Sequence, residues 1–183
     1  MFKKIAIASV TAALFSMGQS VSAGQTTSTM NVTATVTKNC AVATAPSDFT
    51  GTYDPVSANA TTPAGDVTFT QSIVFKCTKN SSGVTAGITL GNNSPGAGLR
   101  RLNAGGADNL NYNLYQPAAI GGAAACAYTQ AFDTSGAGLL SVGSGNFATS
   151  GTNVTVKICG LVPGAQDVAP GSYTDAVVVN VNF

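Results

Sequence analysis

An all-β antiparallel architecture, either sandwich or barrel, is what this sequence predicts, on three observations. Apolar and polar residues alternate at period two in several short runs. Clusters of Gly, Pro, Asn, Asp and Ser punctuate those runs. No stretch shows a sustained helical period. The composition agrees: 44% of the 183 residues are hydrophobic, only 8% are charged, and Thr, Ser, Asn and Gly abound. That balance suits strands and turns rather than helices.

The first segment reads as a secretory signal. Lys3 and Lys4 precede an apolar run from Ile5 to Met17, and Val21-Ser22-Ala23 offers the small residues of a cleavage site. The expected organisation is therefore a signal peptide over residues 1–23, an arm over 24–37 and one body over 38–183. The apolar run is too short for a membrane anchor, so no stable membrane insertion is expected. In the arm, Met30, Val32, Ala34 and Val36 share one face of a strand, with Asn31, Thr33 and Thr35 on the other.

Further strands are expected along the body. Val67, Phe69, Ile73 and Phe75 align, with Gln71 as an interruption. So do Val84, Ala86, Ile88 and Leu90; Leu110, Tyr112 and Leu114; and Val154, Val156 and Ile158. The last run aligns Tyr173, Val177, Val179, Val181 and Phe183. Residues 121–127 and 136–151 carry no clear pattern and read as loops or weak edge strands. The Arg100-Arg101 pair reads as an exposed turn. Tyr112 and Tyr115 suit core and rim packing better than a sugar platform.

Four cysteines follow the signal: Cys40, Cys77, Cys126 and Cys159. An export signal and an even count imply two disulfides. Three pairings are possible, and Cys40–Cys77 with Cys126–Cys159 joins neighbouring strand segments. Zinc is disfavoured, because there is no His and no Cys-x-x-Cys pair. Without His, no Ser–His or Cys–His nucleophile can form, so no enzyme and no cofactor is expected. Most of the seven Asp adjoin turn-forming residues and read as turn chemistry. The near-balanced charge excludes a basic nucleic-acid footprint.

The two ends carry the functional signal. The arm is a clean amphipathic strand, and the last apolar run has no following strand to cover its outer edge. An apolar edge strand left bare is an aggregation hazard that proteins normally mask. The arm is then either the first strand of its own sheet or a segment that inserts into a partner.

Several motifs carry a resemblance to a known family. They are Phe49-Thr50-Gly51-Thr52-Tyr53-Asp54-Pro55, Phe75-Lys76-Cys77, Leu90-Gly91-Asn92-Asn93, Arg100-Arg101-Leu102 and Leu110-Asn111-Tyr112-Asn113-Leu114-Tyr115. The terminal Gly171-Ser172-Tyr173-Thr174-Asp175, leading into Val177 to Phe183, completes them. Over essentially the whole chain beyond residue 23, the sequence resembles the spore coat U domain pilins of archaic, Csu-type chaperone–usher pili. Thr50-Gly51-Thr52-Tyr53 departs from the family spacing, and the second cysteine pair is not general in the family.

The resemblance implies an incomplete immunoglobulin-like β-sandwich, completed by donor-strand exchange. Met30, Val32, Ala34 and Val36 would enter the groove of the next subunit. Val177, Val179, Val181 and Phe183 are the candidates for the groove wall. The partners implied are copies of itself or related pilins, a periplasmic chaperone and an outer-membrane usher. The product would be an extracellular pilus used in attachment and biofilm formation. Two alternatives stand beside it: a self-contained secreted spore- or cell-coat sandwich, and a tip adhesin that binds a surface or glycan. The arm and the single-domain length argue against the tip.

Overall fold

The alternating runs of the body fold into nine strands among the described residues: β1 (Cys40–Thr44), β2 (Val67–Cys77), β3 (Val84–Ile88), β4 (Arg100–Asn103), β5 (Asn109–Pro117), β6 (Cys126–Ala131), β7 (Leu140–Val142), β8 (Asn153–Val162) and β9 (Val179–Asn182). The structure is a computed structural model that describes residues 24–96 and 98–183; the signal-peptide expectation for residues 1–23 lies outside them. The chain divides into two units, Met1–Thr35 and Val36–Phe183. The described residues of the first unit, 24–35, hold no helix or strand.

In the second unit one sheet runs β1-β2-β8-β5-β4, with β6 also paired to β5, and a smaller sheet runs β7-β3-β9. Every pairing is antiparallel. Period two explains which side chains meet. Ile73 and Phe75 of β2 sit beside Val156 and Val154 of β8. Those residues, together with Leu110, Tyr112 and Leu114 of β5, face Val84, Ala86 and Ile88 of β3 in one buried cluster. Two sheets closing on one core make this a sandwich.

The expected disulfide pairs are the ones present. Cys40 bonds to Cys77, joining β1 to β2, and Cys126 bonds to Cys159, joining β6 to β8. Thr78, just past the first bridge, donates its N–H to Asn39 O at 2.9 Å and offers its Oγ1 to Asn39 N–H at 3.2 Å.

Three expectations are corrected. Residues 29–37 form no strand, because periodicity specifies a face while a strand also needs a partner to bond. The last strand is β9 alone; residues 173–178 are held in other ways, described below. Arg100 is not in an exposed turn. It lies in β4, is 4% exposed, and donates from Nη2 to Ile88 O at 3.0 Å and Phe132 O at 2.7 Å. A guanidinium offers several donors, so one side chain can satisfy carbonyls from two segments at once. The weakly patterned residues 121–127 and 136–151 contribute the start of β6, all of β7 and two short 3-10 turns.

Candidate functional site

A groove of about 970 Å3 opens on the body. Its floor is apolar: Val67 of β2, Leu102 of β4, Leu110 of β5 and Val162 of β8. One wall is the segment from Phe49 to Val56, and the other runs from Asp167 to Thr174.

The first wall is held by side chains. Gln71, the polar interruption in β2, donates from Nε2 to Asp48 O at 3.2 Å and accepts from Ser47 Oγ at 2.7 Å. Phe49 stacks on Phe69 with ring centroids 3.9 Å apart. Phe69 in turn covers Gly160, its cross-strand partner, where any Cβ would collide with the ring. Tyr53 Oη donates to Pro163 O at 3.2 Å and accepts from Gln166 N–H at 2.9 Å. Asp54 caps its own turn, accepting from Val56 N–H and Ser57 N–H. The bond from the Ser57 hydroxyl first, and then these backbone bonds, hold its carboxyl below the usual range. Among the described residues, no backbone–backbone hydrogen bond ties residues 45–53 to a neighbouring strand.

The second wall leads into β9. Thr174 exchanges both backbone hydrogen bonds with Asn103, at 3.0 and 3.1 Å. Asp175 Oδ2 accepts from Tyr112 Oη at 2.7 Å, and its Oδ1 accepts from Asn93 N–H at 3.1 Å. Burial first, then the Asp175 hydrogen bond, raises the pKa of Tyr112 above its ordinary value. Burial lowers that of Arg100, opposed by the charges of Tyr112, Asp133 and Asp175. Asp175 thus serves long-range contacts, not the turn chemistry the sequence suggested. Asp108 does likewise, accepting from Ala169 N–H at 2.9 Å, while Asp66 combines a long-range bond from Gly164 N–H at 2.8 Å with a local one from Thr62 Oγ1 at 2.8 Å.

The four wall candidates differ in setting. Val177, Val179 and Val181 are half-buried against the core, and Phe183 is 49% exposed. None of them lines the open groove, whose lining ends at Thr174. Among the described residues β9 pairs with β3 alone. Thr89 N–H bonds to Val178 O at 2.9 Å, so Val178 faces the β3 side. Strand alternation then turns the backbone groups of Val177, Val179 and Val181 to the opposite, unpaired edge.

The four arm candidates lie in no strand. Met30 is 82%, Val32 79% and Val36 86% exposed, and Ala34 is exposed as well. The alternation singles out these residues but gives no role to the wall from Phe49 to Val56, where no alternation marks a strand. Gln71 was the available signal, a polar residue placed on an apolar face. Among the described residues no group of three or more His, Cys, Asp or Glu side chains is placed to hold a metal.

The chain is similar to known proteins in three ways. The model of the family described as "Spore Coat Protein U domain" matches residues 26–180. "Protein U" of Myxococcus xanthus is 36% identical over 196 aligned positions, covering 98% of each chain. Among solved structures, the chain is similar to one in the complex of the chaperone CsuC with the tip adhesion subunit CsuE, from the archaic chaperone–usher Csu pili of Acinetobacter baumannii. That match has a TM-score of 0.49 and 16% identity, over 81% of this chain and 40% of the other.

Proposed function

The chain belongs to the Spore Coat Protein U domain family, and from that premise we propose that it is a structural subunit of a chaperone–usher pilus, joined to its neighbours by donor-strand exchange. The observation that carries the reading is a mismatch of halves. Among the described residues, residues 30–36 present an apolar face with no strand to pair with, while β9 presents an apolar strand paired on one edge only. An exposed stripe of that kind is costly in water, and a bare edge invites another strand.

In this reading Met30, Val32, Ala34 and Val36 of one subunit lie along β9 of the next. Val177, Val179 and Val181 form the wall, with Phe183 at its end. Burial of the four arm side chains stabilises the joint by about 5–9 kcal/mol. Each new backbone hydrogen bond adds about 0.5–1.5 kcal/mol net. Because the donating and accepting surfaces differ, the contact is heterologous and propagates into a filament. Before assembly a periplasmic chaperone covers the same edge, and an outer-membrane usher exchanges it for an arm. Residues 1–23 direct export, residues 24–37 are the donor and residues 38–183 the acceptor body. The fibre serves surface attachment and biofilm formation.

Producing the exported chain without a chaperone tests this. Light scattering across a concentration series should show growth into polymers. Val32→Asp with Val36→Asp should abolish that growth yet leave capture by the chaperone intact. A wild-type chain that stays monomeric at every concentration would support the self-contained coat protein instead.

A further inference from the structure

The segment entering β9 is fastened unlike a sheet strand. β9 forms a regular ladder with β3 only from Val179 onward. Upstream, Asn92 N–H reaches Ala176 O at 3.2 Å, and Val178 N–H turns to the Thr89 hydroxyl at 2.8 Å instead of to a carbonyl. Asn93 Nδ2 donates to Thr174 O at 2.7 Å. The densest fastening is at Asp175. Its two carboxylate oxygens are taken by Tyr112 on the larger sheet and by the Asn93 backbone. Gly91, with φ of +102°, lies so close that any Cβ there would collide with the carboxylate. Three motifs set far apart in the sequence, at residues 90–93, 110–115 and 171–175, therefore converge on one side chain.

We propose that Asp175 is a positioning residue that fixes the register of the acceptor wall, and that its bond to Tyr112 is what keeps the wall readable by an incoming arm; this rests on the donor-strand reading above. Register matters because a slip of one residue exchanges the two faces of a strand and turns its backbone groups to the other edge. Val177, Val179 and Val181 would then leave the core, and the edge offered to the arm would carry the wrong groups. A slip of two residues keeps the faces but moves each side chain about 7 Å along the wall. A carboxylate bonded at both oxygens and backed by a glycine tolerates neither slip. Backbone bonds help hold the segment, with Thr89 N–H to Val178 O continuing the ladder of residues 179–182 and Thr174 exchanging two bonds with Asn103, but such bonds can re-form after a slip of two residues, whereas the Tyr112 bond recognises one side chain and cannot.

The test separates accepting from donating. The parent is the exported chain with Val32→Asp and Val36→Asp, which cannot donate. Its capture of a fluorescent synthetic peptide of residues 24–37 is followed by anisotropy. Adding Tyr112→Phe, which keeps the ring and removes the hydroxyl, should weaken capture about tenfold, the scale of losing one hydrogen bond to a charged group. Asp175→Asn should do the same, and the two together should cost little more than either alone, because they break one device. In wild-type background, Tyr112→Phe chains should still donate their arms to the parent at the normal rate. Unchanged capture in both variants would overturn the proposal. So would a loss of donation alongside capture, which would mark a general fold defect. Failure of the parent itself to take up peptide would overturn the donor-strand reading, and the register role with it.

Discussion

The phenol of Tyr112 donates to Asp175 Oδ2 at 2.7 Å, tying β5 of the larger sheet to the segment that enters β9 of the smaller one. Burial and that carboxylate raise the pKa of Tyr112, against the opposing charge of Arg100. The proton is therefore held more tightly in the folded chain than in the unfolded one. Its contribution is complete below about pH 10, the unfolded value, and is lost as pH rises from there through the folded value. Thermal midpoints of the wild type should fall more steeply above about pH 10 than those of Tyr112→Phe. Parallel curves would show that the phenol does not titrate with folding.

Arg100 holds β4 against β3 and the residue after β6 through two carbonyls. Arg100→Met fills much of the volume but leaves Ile88 O and Phe132 O unpaired. We expect a loss of about 2–4 kcal/mol in chemical denaturation, and Arg100→Lys should recover only part of it, since an ammonium lacks the planar fork.

Gly160, Phe69 and Phe49 form a stack in which each requires the one beneath. Gly160→Ala would push the Phe69 ring outward and unseat Phe49 from the groove wall. The expected cost is about 1–3 kcal/mol. The loss should appear in chemical denaturation, while arm-peptide capture along β9, which lies outside this groove, should be unchanged; undiminished stability would show that the Phe69 ring yields freely.

The Cys40–Cys77 bridge closes a loop with a sequence separation of 37 at the root of β1. Removing it by Cys40→Ser with Cys77→Ser should cost about 3–4 kcal/mol through the unfolded chain. Periplasmic yield should drop correspondingly. Undiminished yield under oxidising conditions would contradict that role.

Much of the sandwich was legible because its central strands carry period-two apolar faces buried on one side: residues 73–77, 84–88, 110–114 and 154–158 all read this way. The short strands did not. β1 and β6 are largely exposed and offer no alternation to detect, β7 is three residues long and too short to show a period although Val142 is buried, and β4 opens with two arginines that look like surface. Arg100 was misread because charge argues for solvent unless a pair of buried carbonyls is waiting, and their positions at Ile88 and Phe132 depend on tertiary folding. The wall from Phe49 to Val56 was hidden for the same reason, since Gln71, Phe69, Pro163 and Gln166 hold it from a distance. The arm shows the converse: its face was plain in the sequence, yet a face alone forms no strand.

Amide hydrogen exchange at residues 30–36, measured on size-separated wild-type material, tests the central claim most directly. The account predicts slow exchange there in assembled material, and fast exchange in a monomeric chain carrying Val32→Asp and Val36→Asp. Slow exchange at those amides in a monodisperse wild-type monomer would mean that the arm seals its own sheet, and would contradict it.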